Sequence, residues 1–123
     1  MTKFKCQGFC NTFKNARKGL RLALKAEDTI KIHFGAAGAA LIAAALLEFS
    51  PIEFCVVLLT IAMVIITEML NSALEFASDA VFKNKYSKMV GMAKDISAGA
   101  VMFATFTSVA VGLILFLPKL VAL

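Results

Sequence analysis

Three polar side chains, Glu68, Asn71 and Glu75, stand inside the otherwise apolar segment 60–81. Ionisable groups are costly in a segment apolar enough to enter a membrane, so they usually have a function there. At about 100° per helical residue, these three side chains and Asp79 share one face of a helix. Carboxylate and amide oxygens could bind a divalent cation, and a partly desolvated carboxylate could accept a proton. Asp79 itself is interpreted as an ordinary interfacial charge.

Composition assigns the chain to a class of protein. Of its 123 residues 60% are hydrophobic, and its mean hydropathy is +0.84. These values are too high for an ordinary soluble domain and predict a small all-α integral membrane protein, with residues 1–123 forming a single domain. A chain this short has little scope to bury a polar stripe alone, which predicts a homo-oligomer. The net charge is +5, which could suggest binding to nucleic acid. Once the membrane spans are removed, however, no soluble basic face remains, so no nucleic-acid partner is expected.

The apolar pattern predicts three transmembrane helices, at about residues 28–49, 53–82 and 95–118, each long enough for about 30 Å of hydrocarbon. The third is the clearest, because Ile96 to Leu117 carries no charge. The first is the shortest apolar stretch, and its glycines and alanines favour close packing against neighbouring helices.

The distribution of basic residues predicts the orientation. Eight of the 13 Lys and Arg lie in residues 1–31 and four in residues 83–94, so both segments are expected to face the cytoplasm. Residues 1–26 are interrupted by charges throughout, unlike a signal peptide. Apolar residues recur there at helical spacing, which predicts an amphipathic helix on the anionic membrane surface.

The predicted spans bring several polar residues to one level, close to the cytoplasmic interface. Glu75 reaches that interface and Glu68 lies slightly deeper, by the helical rise. Residues that open the first and third spans lie at the same level. The whole set is Glu27, Glu68, Asn71, Glu75, Lys94 and Asp95. Such a set suits Mg²⁺ and phosphate better than it suits ion passage across the bilayer.

Two motifs in this region resemble those of a known family. They are E-x-x-N-S-A-x-E at residues 68–75 and A-K-D-x-x-A-G-A-V at residues 93–101, and K-G-L-R at residues 18–21 followed by Glu27 also matches. The chain from about residue 12 onward resembles the prokaryotic diacylglycerol kinase family, which includes the undecaprenol kinases. The resemblance implies an ATP-dependent lipid kinase of the bacterial inner membrane. It also implies a homotrimer with composite active sites at the cytoplasmic face.

The resemblance also implies a role for individual residues. Glu68 is expected to be the catalytic base, and Glu27 and Glu75 are expected to hold Mg²⁺ against ATP. Asn71 is expected to orient groups around the phosphoryl transfer. The implied ATP contacts are Asn15, Lys85, Tyr86, Ser87, Lys94 and Asp95. No Walker-type or G-x-G-x-x-G signature occurs in the sequence, so an ATP site must be built from such side chains.

The acceptor lipid is left open between undecaprenol and diacylglycerol. His33, six residues after Glu27, and the ending GLILFLPK look like the undecaprenol kinase branch, and His33 is counted among the residues that position the substrate. Both lipids present a hydroxyl at the interface, so the catalytic residues do not separate them.

Two other classes of function would also be compatible with a small, charged membrane protein. A small multidrug or ion transporter also uses a membrane glutamate, but it places that charge near the midplane and reaches it from both sides. A structural or pore-forming peptide would not need Asn71, Glu75 and Lys94 at one level. Both classes fit the placement of the charges less well than a kinase does.

Overall fold

The computed structural model describes residues 3–83 and 87–123. All regular structure in these ranges is helical, in the order α1 (Lys3–Ala26), α2 (Asp28–Leu46), α3 (Pro51–Phe82) and α4 (Lys88–Val121). This result confirms the prediction of an all-α protein.

Helices α2, α3 and α4 are each long and apolar enough to cross a membrane, which confirms the three predicted hydrophobic helices. At about 1.5 Å per residue, α2 is about 28 Å long, close to the hydrocarbon thickness, whereas α3 and α4 are about 48 and 51 Å long. Helix α4 begins at Lys88, well before the apolar span that the sequence places at about residue 95. The two longer helices therefore extend beyond a bilayer that contains α2.

A short turn joins α2 to α3, and its sequence explains why the chain reverses there. Glu48 adopts a left-handed conformation with φ of 59°. Ser50 then caps α3: its Oγ accepts from the Glu53 N–H at 3.2 Å, and the Glu53 carboxylate accepts from the Ser50 N–H at 2.9 Å. Pro51 at the first helical position has a backbone suited to starting a helix. We call this region the turn end of the bundle.

A cluster of aromatic side chains packs at the turn end. Phe49 is only 6% exposed, and its ring centroid lies 6.2 Å from that of Phe54 and 4.7 Å from that of Phe116. Lys119 Nζ lies 5.7 Å from the centre of the Phe49 ring and 3.4 Å from Glu53 Oε1. Through these contacts α3 and α4 pack against the residues that follow α2.

The opposite end, which we call the loop end, contains the start of α2 and the connection from α3 to α4. Helix α3 contacts both α2 and α4. Helix α1 contacts α2 and is joined to it by a single residue, Glu27, whose backbone is extended (φ −126°, ψ 114°). From residue 8 onward most side chains of α1 are exposed.

Candidate active site

Helix α3 carries a row of polar side chains towards the loop end. Glu68 lies about 25 Å along α3 from Pro51, and Glu75 about 36 Å, by the helical rise. A hydrocarbon layer of about 30 Å that begins near Pro51 would therefore end between them. Glu68 lies just inside this boundary, whereas Glu75 and Asp79 lie beyond it.

Glu68 is in contact with His33 of α2. His33 Nε2 lies 3.2 Å from Glu68 Oε1, and the two side chains are 25% and 14% exposed. Either ring nitrogen can donate, depending on the tautomer, and an ionised Glu68 can only accept. The contact ties the carboxylate to a second helix and restricts its orientation. The sequence singled out both residues, and the structure brings them together.

One turn further along, Asn71 Nδ2 donates to Glu75 Oε1 at 3.4 Å. Asn71 Oδ1 is buried and has no hydrogen-bond partner among the described residues. A buried acceptor without a partner costs about 1–3 kcal/mol, so such a group calls for an explanation. A ligand that donates a hydrogen bond to this oxygen would provide one.

The third polar contact joins α3 to α4: Lys94 Nζ donates to Asp79 Oδ1 at 2.9 Å. The sequence predicts Lys94 in the site but indicates only an ordinary interfacial charge at Asp79, so this contact was missed. The sequence contains a signal for this contact: Asp79 shortly precedes the connection from α3 to α4 and Lys94 shortly follows it, and a helical hairpin brings residues on the two sides of its connection close together.

The other expected site residues stand apart from these pairs. Glu27 is half-buried between α1 and α2, Ser87 is half-buried at the start of α4, and Asp95 and Asn15 are exposed. Lys85 and Tyr86 lie outside the described residues. Within the described ranges of a single chain, no three His, Cys, Asp or Glu side chains form a group that could hold a metal ion. One chain therefore presents pairs of polar residues rather than the full set.

A cavity of about 200 Å³ opens beside His33, between the three apolar helices. Small residues of α2 and α4 make room for it, among them Ala36, Ala37, Ala40 and Gly112. It extends from His33 towards Phe116 at the turn end. The site thus combines the half-buried contact between Glu68 and His33 with an adjoining apolar space between the three long apolar helices.

Comparison with known families identifies the class of protein. Residues 14–116 match the family model described as prokaryotic diacylglycerol kinase. The chain belongs to the prokaryotic diacylglycerol kinase family. The match includes both motifs on which the resemblance was based, and it covers α2, α3 and nearly all of α4. It gives no support to a transporter.

Two curated proteins are similar to this chain over most of its length. The chain is 37% identical over 112 residues to the diacylglycerol kinase of Synechocystis sp., a match that covers 91% of this chain and 64% of that protein. It is 36% identical over 112 residues to the undecaprenol kinase of Bacillus subtilis, covering 91% of this chain and 90% of that protein. The chain thus spans just under two-thirds of the first relative's length. The predicted membership of this family is confirmed.

Proposed function

We propose that this protein transfers the γ-phosphoryl group of ATP to the hydroxyl of a membrane lipid alcohol, either undecaprenol or diacylglycerol. The observation that carries the proposal is the half-buried Glu68 carboxylate, held by His33 beside an apolar cavity. The cavity suits a hydrocarbon chain, and the carboxylate suits the hydroxyl at the end of that chain. The remaining polar pairs lie further along α3, where a water-soluble nucleotide can reach them.

In this reaction Glu68 acts as the general base. It accepts the proton of the lipid hydroxyl while the hydroxyl oxygen bonds to the γ-phosphorus and the bond from that phosphorus to the β–γ bridging oxygen breaks, releasing ADP. Phosphoryl transfer depends mainly on positioning and charge neutralisation. His33 contributes to positioning, because its contact at 3.2 Å with Glu68 Oε1 restricts the orientation of the carboxylate.

The donor set fits a magnesium ion. Mg²⁺ prefers oxygen ligands, and the Glu75 carboxylate next to the unpaired Asn71 Oδ1 offers oxygen atoms only. Glu75 and Glu27 would hold the ion, which supplies positive charge to the phosphates of ATP. Asn71 would accept a hydrogen bond from a bound water or from substrate. Because one chain does not gather these groups, a neighbouring copy is proposed to complete the site.

Lys94 would provide a second positive charge for the phosphates, and Asp95, next to it on α4, and Ser87, which precedes α4, are proposed as further nucleotide contacts. Lys85, Tyr86 and Asn15 are proposed as further nucleotide contacts on the basis of the resemblance alone. The B. subtilis relative is named an undecaprenol kinase and the Synechocystis relative a diacylglycerol kinase. His33 and the ending of α4 favour undecaprenol for this chain.

We further propose a homotrimer in the bacterial inner membrane, with residues 1–123 forming one domain and the loop end facing the cytoplasm. Many large apolar side chains of the three spans are exposed in the single chain, and lipid together with neighbouring copies would cover them. The basic residues of α1 and of residues 83–94 support this orientation. Helix α1 would lie on the membrane surface with its lysines and arginines towards anionic headgroups.

A direct test offers the purified protein labelled ATP, Mg²⁺ and either undecaprenol or diacylglycerol in mixed micelles. Label in one lipid establishes the reaction and the acceptor together. Glu68→Gln keeps the size of the side chain but not its basicity, and should lower kcat by about 10²–10⁴-fold while leaving ATP binding and thermal unfolding unchanged. Near-normal turnover of this variant would exclude the base role. Proton-driven uptake into vesicles without ATP consumption would contradict the kinase proposal as a whole.

A further inference from the structure

Asp79 forms an ion pair with Lys94 but has no role of its own in the proposed reaction. We propose that Asp79 is a positioning residue for the nucleotide: it holds the Lys94 ammonium where the phosphates of ATP bind. The inference rests on the proposed function, which places Lys94 against those phosphates.

Stability does not account for the pair. The side chains of Lys94 and Asp79 are 37% and 44% exposed, and ion pairs with this exposure contribute little to folding. Asp79 lies in the last turn of α3, where the helix dipole disfavours a negative charge. The pair therefore contains a negative charge at the less favourable end of its own helix.

Position along α3 supports a role at the site. Asp79 follows Glu75 by four residues, so the two carboxylates lie on the same face about 6 Å apart along the helix axis. A lysine ammonium on its flexible stem would otherwise occupy many positions around α4. The 2.9 Å contact with Asp79 Oδ1 places it against α3, one turn from the carboxylate proposed to hold the metal ion.

Hydrogen-bond capacity shows that Lys94 can serve both partners. A lysine ammonium has three N–H donors, and Asp79 Oδ1 takes one of them. Two donors remain for phosphate oxygens. Asp79 therefore orients the ammonium without using up its capacity to bind a nucleotide.

Asp79 could instead weaken nucleotide binding, and this alternative predicts a different result. If Asp79 competed with phosphate for Lys94, removing its charge would strengthen ATP binding. If Asp79 positions Lys94, removing its charge weakens ATP binding and leaves the lipid acceptor unaffected. The sign of the change in nucleotide affinity separates the two.

The experiment uses the full chain in micelles and compares Asp79→Asn, Asp79→Glu, Lys94→Gln and the Asp79→Asn/Lys94→Gln double variant. Two quantities are measured: the Kd of a non-hydrolysable ATP analogue with Mg²⁺, and the KM values for ATP and for the lipid. Thermal unfolding is followed in parallel. Glu53→Gln is the matched control, because it removes the carboxylate from a similar ion pair, with Lys119, at the turn end.

We expect Asp79→Asn to raise the Kd of the analogue and the KM for ATP about five- to tenfold, since it loosens one charged phosphate contact. The KM for the lipid and the unfolding temperature should stay unchanged. Asp79→Glu should restore most of the affinity. Added to Lys94→Gln, the Asp79 change should have no further effect, because it acts through the lysine.

Unchanged or tighter nucleotide binding in Asp79→Asn would overturn the inference, as would an equal loss of affinity in the Lys94→Gln background. An equal loss in Glu53→Gln would also overturn it. Nucleotide binding that behaves as expected, without phosphorylation of any lipid, would refute the proposed function and leave the inference standing. If the unsubstituted protein bound no nucleotide, both would fail.

Discussion

The two ends of the helix bundle carry similar polar side chains but differ in how completely these side chains are hydrogen-bonded. At the turn end the charged and polar groups of Ser50, Glu53 and Lys119 bond to one another around a packed phenylalanine. At the loop end the polar groups form separate pairs, and Asn71 Oδ1 is left without a partner among the described residues. Polar groups that are fully hydrogen-bonded to one another hold the helices together, whereas a polar group without a partner can still bind a ligand. The difference predicts that substitutions at the turn end affect folding and those at the loop end affect chemistry.

The largest expected difference between the two ends is in kinase activity, measured after removal of one carboxylate from each end. Glu75→Gln removes a charge proposed to hold Mg²⁺, and should lower kcat/KM at least about 100-fold and raise the Mg²⁺ concentration that activity requires. Glu53→Gln should leave both quantities within about twofold of the original, since it touches no reacting group. Magnesium titration of the kinase activity measures both. If the two variants lost activity equally, the distinction between the ends would be wrong.

Removing the buried ring at the turn end should act on stability alone. Phe49→Ala creates a cavity beside Phe54 and Phe116, and should lower the free energy of unfolding by about 3 kcal/mol. Thermal unfolding in micelles measures the loss, and turnover per folded molecule at low temperature should stay normal. Phe103→Ala is the control, because that side chain is 75% exposed in the single chain. A Phe49 variant that is fully stable but inactive would contradict this assignment.

A smaller effect is expected at His33, which acts through Glu68. His33→Ala should lower kcat about tenfold by freeing the carboxylate, with no change in the KM for ATP. His33→Gln should retain more activity, because its amide nitrogen can still donate to Glu68 Oε1. Steady-state kinetics of the two variants tests this order. Equal activity of both variants and the original would mean that the contact does not position the base.

The smallest expected effect is at the helix cap of the turn end. Ser50→Ala removes the acceptor for the Glu53 N–H and should cost about 1 kcal/mol of stability, with no change in turnover. Ser50→Asp, which can still accept that hydrogen bond, should restore it. A Ser50→Ala protein with normal stability and reduced kcat would show that chemistry is not confined to the loop end.

The sequence predicts the helices and the polar row well, and the contacts between helices poorly. Apolar runs and helical spacing are local properties, so three spans and the shared face of Glu68, Asn71 and Glu75 follow from residue type alone. The contact of His33 with Glu68 depends on the rotation of α2 against α3, which packing decides. The Asp79–Lys94 pair depends on the register of α3 against α4. Hydropathy likewise locates the apolar part of α4 but not its beginning at Lys88.

The single residue between α1 and α2 couples two parts of the molecule. Only two backbone bonds of a residue rotate freely, so the direction of α1 relative to α2 depends on φ and ψ of Glu27, which are −126° and 114°. With α1 on the headgroup layer, as proposed, a change in its tilt would turn these bonds and change the direction of the Glu27 carboxylate. The lipid composition beneath α1 would then influence the geometry of a proposed metal ligand.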